Sequence, residues 1–304
     1  MPDDQEAVPP TAVDPNPTAS TTAGTTADSA NEPAPKPYIG PAEPPALHVM
    51  TYNVRVGSDG LHDPWSDRRA AAAAALRSEA PTVIGTQEGL YYQLREISDD
   101  LPSHYEWIGA GREGGSRGEF MAIFFDRRRL DPQEFDHFWL SDTPAEIGST
   151  SWGNKVVRMA TWVRFRDRVT GQDFVLLNTH LDHAVDKAQR LGAELVAERL
   201  GEFDPSLPVI VTGDFNVPAE AATPYDTLTT GAGLVDTWTA AADRLTPAYQ
   251  TYHGYHAAVD GGNRIDWILV RPETRVRAAA INTRTFDGRW GSDHWPVQAL
   301  VTLG

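Results

Sequence analysis

The feature that most constrains the fold is a series of short apolar segments that begins at Leu47 and continues to the end of the chain. Each segment is rich in Val, Ile, Phe or Trp, and turn-forming residues separate it from the next, which is typical of β-strands. We predict strands at Leu47–Asn53, Thr82–Gln87, Glu106–Ala110, Phe120–Phe125, Arg158–Phe165, Phe174–His180, Val209–Gly213, Ile265–Val270 and Gln298–Leu303.

Only a few segments have helical character. Asp67–Ser78 is mostly alanine, the best helix former, and Ser66 offers an N-cap in front of it. Leu90–Asp100 and Ala184–Leu200 place aliphatic residues at the spacing of one helix face, and the second ends at Gly201. Many strands with few helices predict an α/β fold, in which two sheets pack face to face and the helices lie outside.

The first 46 residues differ from the rest. They hold 11 of the 23 prolines, six threonines and almost no large apolar residue before Tyr38 and Ile39. Such a segment cannot bury enough apolar surface to offset its ordering entropy. We therefore predict a disordered acidic tail rich in Pro, Thr and Ala over residues 1–46, and one globular domain over residues 47–304.

The charge balance argues against a general nucleic-acid binder. The chain has 26 basic and 42 acidic residues; of its net charge of −16, −6 falls on the first 46 residues and −10 on the remainder. Nonspecific affinity for nucleic acids comes mainly from Lys and Arg that neutralise phosphates. The balance still leaves room for a nuclease with a small basic cleft.

Cysteine is absent, which excludes disulfides, thiolate zinc sites, iron–sulfur clusters and cysteine nucleophiles. The longest uninterrupted aliphatic run, Ala70–Leu76, is far shorter than a membrane span. No basic start followed by an apolar stretch is visible, so no signal peptide is predicted. We expect a cytoplasmic monomer, while cysteine usage leaves an extracellular location open.

Polar side chains follow one predicted strand after another. The segments are Met50–Asn53, Gly85–Glu88, Leu177–His183, Val211–Asn216, Arg264–Ile268 and Ser292–Val297. Any one of them is an ordinary turn sequence, because Gly, Asn and Asp are common in turns. Six in one chain, all with carboxylate, amide or imidazole groups, indicate a site, since loops at one edge of a rigid scaffold usually carry catalytic groups.

These motifs resemble, in the same order, those of the endonuclease/exonuclease/phosphatase superfamily. They are Tyr52-Asn53-Val54, Gln87-Glu88, Asn178-Thr179-His180-Leu181, Gly213-Asp214-Phe215-Asn216, Ile265-Asp266 and Ser292-Asp293-His294. The match covers nearly all of residues 47–304. The resemblance implies a four-layer sandwich of two mixed β-sheets with helices on the outer faces, a divalent metal, and hydrolysis at phosphorus.

The resemblance implies that oxygen ligands hold the metal. Glu88 supplies the principal carboxylate, with Asn53 and Asp293 nearby. Such a set prefers Mg²⁺, or alternatively Mn²⁺ or Ca²⁺, over zinc. A metal of this kind polarises a phosphoryl oxygen during hydrolysis.

The resemblance also implies the catalytic groups. Asp214 would orient and deprotonate the attacking water, and Asn216 would donate a hydrogen bond near the phosphate. His294 would bind the phosphoryl oxygen while Asp266 holds its ring, because a carboxylate partner fixes the tautomer and basicity of an imidazole. His180 is either a general acid or a charge stabiliser.

Three more positions are implied to bind substrate: Glu119, Arg158 and Asn178. Glu119 matches a family glutamate that orients His180, and Arg158 matches a phosphate-contacting arginine of the deoxyribonuclease branch. Apurinic endonucleases carry an acid where this chain has Arg55, and a tyrosine where it has His180. Both departures move the chain away from that branch.

Two other patterns carry less weight. Gly109–Gly114 spells G-x-G-x-x-G, but a strand follows it, so the helix N-terminus that a dinucleotide requires is missing. We expect a mobile glycine loop near the cleft instead. His180 and His183 are three residues apart, yet no third His or Cys is spaced to complete a zinc site.

The sequence thus favours a metal-dependent phosphoesterase, because a non-catalytic binding relative should lack at least one site residue. The net charge favours a small phosphodiester or phosphomonoester, such as a phospholipid headgroup, a sugar phosphate or a nucleotide. An endo- or exonuclease acting on DNA or RNA is the alternative. The superfamily resemblance does not choose among these, since one scaffold serves many substrates.

Overall fold

The structure is a computed structural model that describes residues 36–57 and 63–304. Its strands are β1 (Leu47–Asn53), β2 (Val83–Leu90), β3 (Tyr105–Ile108), β4 (Glu119–Asp126), β5 (Leu130–Trp139), β6 (Met159–Asp167), β7 (Asp173–His180), β8 (Val209–Asp214), β9 (Val235–Asp236), β10 (Asp243–Arg244), β11 (Asp266–Val270), β12 (Arg275–Ile281) and β13 (Val297–Thr302). Its helices are α1 (Trp65–Glu79), α2 (Tyr91–Asp100), α3 (Asp186–Gly201), α4 (Thr223–Asp226) and α5 (Thr237–Ala240), with a π-helical turn at Thr227–Gly231.

The strands form two mixed sheets that pack into a four-layer sandwich. The seven-stranded sheet has the order β10-β12-β13-β1-β2-β4-β3, and the six-stranded sheet has the order β5-β6-β7-β8-β11-β9. Apolar side chains of both sheets fill one core between them. Helices α1 and α2 cover the outer face of the seven-stranded sheet, and α3 covers that of the six-stranded sheet. The predicted fold class is confirmed.

Strand β1 shows why the apolar segments are nearly continuous. Val49 packs in the core between the sheets, whereas Met50, its neighbour, packs under the helices. Every residue of β1 is buried. A strand covered on both faces needs apolar residues at successive positions, and this produces the runs seen in the sequence.

All nine predicted strands are present, with ends shifted by at most three residues. The prediction missed β5 and β12, as well as the two-residue strands β9 and β10. β5 is an edge strand whose middle residues are exposed and, apart from Phe135, polar. β12 contains three consecutive alanines, which favour a helix in isolation, and its pairing with β13 overrides that preference.

The predicted N-cap of the first helix is wrong. Helix α1 begins at Trp65, one residue before Ser66, and Pro64 takes the N-cap position. Trp65 is buried against the seven-stranded sheet, and its indole Nε1 donates to Glu96 Oε2 at 2.6 Å. This packing extends the helix beyond the alanine run. No helix among the described residues is long and apolar enough to cross a membrane.

The topology brings the motif residues to one edge of the sandwich. β1 and β2 run parallel, as do β7 and β8, so their carboxyl ends lie at matching edges of the two sheets. β13 and β11 run antiparallel to β1 and β8, so their amino ends lie at the same edge. In the second pair, Asp266 lies opposite Asp214. Six motifs that are distant in sequence therefore meet in space.

Asn178 is not at this edge but between the sheets, where it is fully buried. Its Oδ1 accepts hydrogen bonds from Gln87 Nε2 at 2.7 Å and Thr212 Oγ1 at 3.1 Å. Its Nδ2 donates to the carbonyls of Thr86 at 2.8 Å and Ala122 at 3.0 Å. We correct its predicted role from substrate binding to structural, because its amide hydrogen bonds are made within the protein.

The predicted tail also ends too late. Residues 36–46 are part of the described structure. The backbone N–H groups of Tyr38, Ile39 and Gly40 donate to the fully buried Glu79 carboxylate at 2.9, 3.1 and 3.2 Å. Composition does not predict this contact, because backbone N–H groups make it and the side-chain pattern carries no information about backbone hydrogen bonds. Residues 1–35 lie outside the described residues.

The anchoring predicts unequal effects of two N-terminal deletions. Deleting residues 1–34 should leave the melting temperature unchanged, whereas deleting residues 1–44 removes three donors from the buried Glu79 carboxylate. The second deletion should cost about 2 kcal/mol or more, roughly 4–8 °C in Tm for a domain of this size. Calorimetry on both variants measures the difference.

A charge-removing substitution provides the control for this prediction. Glu79→Gln should destabilise the full-length chain more than it destabilises the chain without residues 1–44, where the carboxylate has already lost the three donors. Equal melting temperatures for the two deletions would show that residues 38–40 add nothing to folding.

Candidate active site

A cleft of about 380 Å³ opens at the edge where the motifs meet. Its lining contains acidic, basic and neutral polar groups together with a few apolar ones. The lining residues are Glu88, Arg112, Glu119, Val156, Arg158, His180, His183, Asp214, Asn216, Tyr252, Ile265, Asp293 and His294. Eight of them are among the eleven predicted site residues, and of the other three Asn53 and Asp266 contact lining residues directly.

Asp214, the last residue of β8, is the centre of the cleft's polar contacts. Its Oδ2 accepts from Asn53 Nδ2 at 2.9 Å and lies 3.4 Å from His180 Nε2. Its Oδ1 accepts from the backbone N–H of Asn216 at 2.9 Å. The carboxylate is buried and held on both oxygens, so its orientation is fixed before any substrate binds.

His294 and Asp266 form a buried pair beside Asp214. Asp266 Oδ2 lies 2.9 Å from His294 Nδ1. Burial lowers the pKa of His294, but the charges of Asp266 and Asp214 outweigh it and raise the pKa to about 10. Burial and the charge of Asp266 raise the pKa of Asp214 above its usual range. The raised pKa favours the imidazolium form of His294, whose Nε2 lies 3.7 Å from Asp214 Oδ2.

Glu88 enters the cleft through a distortion of β2. The pairing of β2 with β4 shifts register between Thr86 and Gly89, and Glu88 adopts a left-handed φ of 64°. A bulge of this kind turns a side chain out of the regular strand alternation. Glu88 Oε1 accepts from Asn53 Nδ2 at 2.8 Å, and Oε2 accepts from the backbone N–H of Val56 at 2.9 Å.

The acidic groups of the cleft suit a hard divalent cation. Ligand atoms of Glu88, Asp214 and His294 lie within 4.8 Å of one another. Burial, and the charge of Glu88, raise the pKa of Asp293, against the effects of the His294 and Arg55 charges. Carboxylates crowded into a buried site in this way are stabilised by a cation, and oxygen donors select Mg²⁺, Mn²⁺ or Ca²⁺.

Asn53 lies at the centre of this acidic group, with its amide nitrogen between two carboxylates. Nδ2 donates to both Glu88 and Asp214, while Oδ1 accepts from the backbone N–H of Arg55 at 2.9 Å. In this arrangement Asn53 bridges the acidic residues as a hydrogen-bond donor. The amide oxygen of Asn53, the atom that would be the predicted ligand, is turned towards the following loop.

Arg158 supplies a buried positive charge on the other part of the lining. The side chain is only 5% exposed, and its Nη2 lies 3.0 Å from His183 Nδ1. Its Nε and Nη1 have no hydrogen-bond partner among the described residues. A buried guanidinium with unmade hydrogen bonds is costly unless an anion completes them.

His180 is uncharged in this setting. Burial, and then the positive charge of Arg158, lower its pKa well below the ordinary value. Its Nδ1 has no hydrogen-bond partner in residues 36–57 and 63–304. Of its two predicted roles, the neutral ring favours charge stabilisation by hydrogen bonding over proton donation.

The predicted contact between Glu119 and His180 is not formed. Glu119 pairs with Arg112 instead, through a short hydrogen bond from Arg112 Nη1. Burial raises the pKa of Glu119 to about 7, although the charge of Arg112 acts in the opposite direction. Glu119 pairs with Arg112 because the backbone bridge between Gly111 and Phe120 brings Arg112 beside Glu119.

Arg112 and Tyr252 are cleft residues that the sequence did not reveal. Tyr252 is 53% exposed, and its ring centroid lies 5.0 Å from that of His294. Arg112 belongs to the glycine motif that was expected to be a mobile loop. A Cβ on Gly111 would lie 2.0 Å from the Arg117 carbonyl oxygen, so glycine here permits close backbone packing. The one sequence signal for Arg112 was its position as a charged residue in a glycine-rich segment that precedes the predicted site residue Glu119.

A four-layer sandwich that joins these carboxylates, imidazoles and guanidinium groups at one edge defines a hydrolase of phosphate esters. The sequence model of the Endonuclease/Exonuclease/phosphatase family matches residues 50–294, and the chain belongs to this family. The protein is therefore a phosphoester hydrolase, in a family whose enzymes generally depend on a divalent metal.

Solved structures agree with this assignment. A family protein from Bacteroides thetaiotaomicron is 31% identical with a TM-score of 0.80, and covers 86% of this chain and 100% of its own. A mannosyl-6-phosphatase from the same organism is 32% identical with a TM-score of 0.78, and covers 84% of this chain and 99% of its own.

More distant structures share only the fold. The human Nocturnin catalytic domain is 18% identical, with a TM-score of 0.67 over 86% of this chain and 95% of its own. No curated protein matches the chain.

The His294–Asp266 pair predicts a measurable change in histidine titration. Asp266→Asn removes the carboxylate that contributes most to keeping His294 protonated, so the pKa of His294 should fall by more than one unit from about 10. Nitrogen-15 NMR of the imidazoles, recorded in EDTA across the pH range, measures this shift. Asp136→Asn, at an exposed position of β5 beside His137, is the control and should leave His294 unchanged. A His294 that stays protonated at pH 9 in Asp266→Asn would contradict the pairing.

Proposed function

We propose that the protein hydrolyses a small phosphate ester with the help of a divalent cation. The observation that carries the proposal is the composition of one small cleft, where four carboxylates and two guanidinium groups line the same space. The acidic groups suit a cation, and the basic groups suit the anionic phosphate. A volume of about 380 Å³ suits a small substrate.

Two further observations support a small substrate over nucleic acid. The net charge outside the first 46 residues is −10, which gives DNA little electrostatic attraction. A similar protein at 32% identity is named a mannosyl-6-phosphatase, which acts on a phosphorylated sugar. We therefore place sugar phosphates first among the candidate substrates.

Asn53 would orient Glu88 through its amide nitrogen, and Glu88 and Asp293 would hold the cation. When bound, it supplies Lewis-acid polarisation of the phosphoryl group and neutralises negative charge. Glu88 is held ready for this role by the backbone N–H of Val56, which fixes one carboxylate oxygen.

The remaining groups divide the proton and charge chemistry. Asp214, fixed on both oxygens, accepts a proton from the attacking water. His294 donates a hydrogen bond from Nε2 to a phosphoryl oxygen, with its ring oriented by Asp266. Asn216, whose Nδ2 donates to the Leu181 carbonyl at 3.0 Å, and His180, whose Nε2 lies 3.4 Å from Asp214 Oδ2, flank the Asp214 carboxylate.

A substrate panel tests the proposal. Sugar phosphates, p-nitrophenyl esters, inositol phosphates, sphingomyelin, RNA and plasmid DNA should be compared with Mg²⁺ and with EDTA. We expect at least about 100-fold higher kcat/KM for a small ester than for DNA, and loss of activity in EDTA, because the cation polarises the phosphoryl group. Rapid cutting of plasmid DNA at physiological salt would overturn the substrate class, and full activity in EDTA would overturn the metal.

Calorimetric titration with Mg²⁺ alone tests the ligand assignment. Glu88→Gln should weaken the affinity at least about tenfold, since a ligating charge is lost. Glu106→Gln, an exposed acid of β3 outside the cleft lining, should leave it unchanged. Equal affinities for all three proteins would remove Glu88 from the metal site.

Leaving-group dependence separates the roles of Asp214 and His180. Asp214→Asn should reduce kcat by roughly 10²–10⁴-fold for alkyl and p-nitrophenyl esters alike, because the water loses its base. His180→Ala should also slow both esters by similar factors, since a neutral His180 does not protonate the leaving oxygen. A far larger loss on alkyl esters in His180→Ala would restore the general-acid role, and near-normal turnover of Asp214→Asn would refute the assigned base.

A further inference from the structure

We propose that Arg112 and Arg158 together form a subsite for the doubly charged phosphoryl group, and that this subsite selects phosphomonoesters over phosphodiesters. The inference rests on the proposed function, since it takes the cleft to bind a phosphate ester. It adds Arg112, from the glycine loop 109–118, as a residue that sets substrate class.

Arg158 provides the buried part of the subsite. It is 5% exposed, and its Nε and Nη1 lack hydrogen-bond partners among the described residues. The nearest carboxylate, Asp182, lies 3.9 Å from Nε, too far for a hydrogen bond. Burial lowers the pKa of Arg158, although the charges of Glu119, Asp214 and Asp182 act in the opposite direction. The side chain therefore keeps donors that the described residues leave unpaired.

Arg112 provides the second guanidinium in the same cleft. Its side chain is 15% exposed, and its Nε has no hydrogen-bond partner in the part of the chain that the structure covers. Its charge acts on both Arg158 and His180, lowering the pKa of each. Glu119 already interacts with both guanidinium groups, since the charges of Arg112 and Arg158 each act to lower its pKa. A phosphate in the cleft would be a second anion that offsets the repulsion between the two positive charges.

The loop holds Arg112 in place before any ligand arrives. The Arg112 carbonyl accepts from Trp139 Nε1 at 2.7 Å, and its backbone N–H donates to the Glu119 carbonyl at 2.9 Å. Gly111 lies so close to Arg117 that no side chain fits there. Glu119 pairs with Nη1 of Arg112, and the Arg112 side chain still lines the cleft.

The charge of the substrate determines how strongly two guanidinium groups bind it. The phosphoryl group of a monoester carries between one and two negative charges at neutral pH and has three non-bridging oxygens. A diester carries one charge and two such oxygens. Guanidinium groups bind phosphate oxygens through paired, charge-assisted hydrogen bonds. The cation and His294 would each bind a phosphoryl oxygen. Of the two ester types, only the monoester then retains enough charge and oxygens to bind both Arg112 and Arg158.

Binding of inorganic phosphate, measured by calorimetry with Mg²⁺ present, tests the subsite without catalysis. Arg112→Met should weaken phosphate binding at least tenfold, and Arg112→Lys should weaken it less. Arg117→Met is the matched control from the same loop, since Arg117 does not line the cleft, and should bind as the native protein does. Glu119→Gln should bind phosphate as tightly or more tightly, because it removes a negative charge.

Catalytic selectivity provides the second measurement, with p-nitrophenyl phosphate and methyl p-nitrophenyl phosphate as substrates that share a leaving group. The ratio of kcat/KM for monoester over diester should fall at least tenfold in Arg112→Met and stay constant in Arg117→Met. Unchanged phosphate binding in Arg112→Met and Arg112→Lys, or equal losses on the two esters, would overturn the proposal. If the native protein hydrolysed neither ester but lost phosphate binding in both Arg112 variants, the subsite would stand and the proposed activity would fail.

Discussion

The active site depends on one buried polar contact between the two sheets. Asn178 joins β7 to β2 and β8, and its hydrogen bonds reach Gln87 and Thr212 through the otherwise apolar core. Gly85 makes this possible, because a Cβ there would lie 2.1 Å from Thr212 Oγ1. An amide satisfied on both sides permits one register of the sheets and penalises any other, since a slip would leave buried polar groups unpaired.

The hydrogen bonds of Asn178 also fix the positions of the cleft residues that follow one or two places further along each strand. Glu88 follows Gln87, His180 follows Asn178 by two residues, and Asp214 follows Thr212 by two. The separation between the Glu88 carboxylate and the side chains of His180 and Asp214 is thus set by a contact inside the core. The loops are tied to the same frame by Arg68, which is buried and donates to the carbonyls of Val54 and Gly291 at 2.8 and 2.9 Å.

Burial, together with neighbouring charges, shifts the pKa values of the ionisable residues in the cleft. The charges of two carboxylates raise the pKa of His294, whereas burial and then the charge of Arg158 lower the pKa of His180. Two imidazoles in one cleft therefore play different parts, and neither state follows from residue type. Strongly shifted ionisable groups that converge on a cleft are typical of catalytic sites. At Glu88 and Asn216 the backbone is left-handed without glycine, as often happens where function fixes a side chain.

The sequence by itself determined the fold class and most of the candidate site. Strand periodicity is a local property, and catalytic residue types at strand ends, such as Asp214 and His294, are visible in the chain. Tertiary structure alone decided which groups meet and how strongly burial shifts them. The pairing of Glu119 with Arg112, the interior position of Asn178 and the anchoring of residues 38–40 by Glu79 join segments far apart in sequence or depend on backbone atoms. Contact and desolvation are properties of the packed molecule, and no spacing of residues encodes them directly.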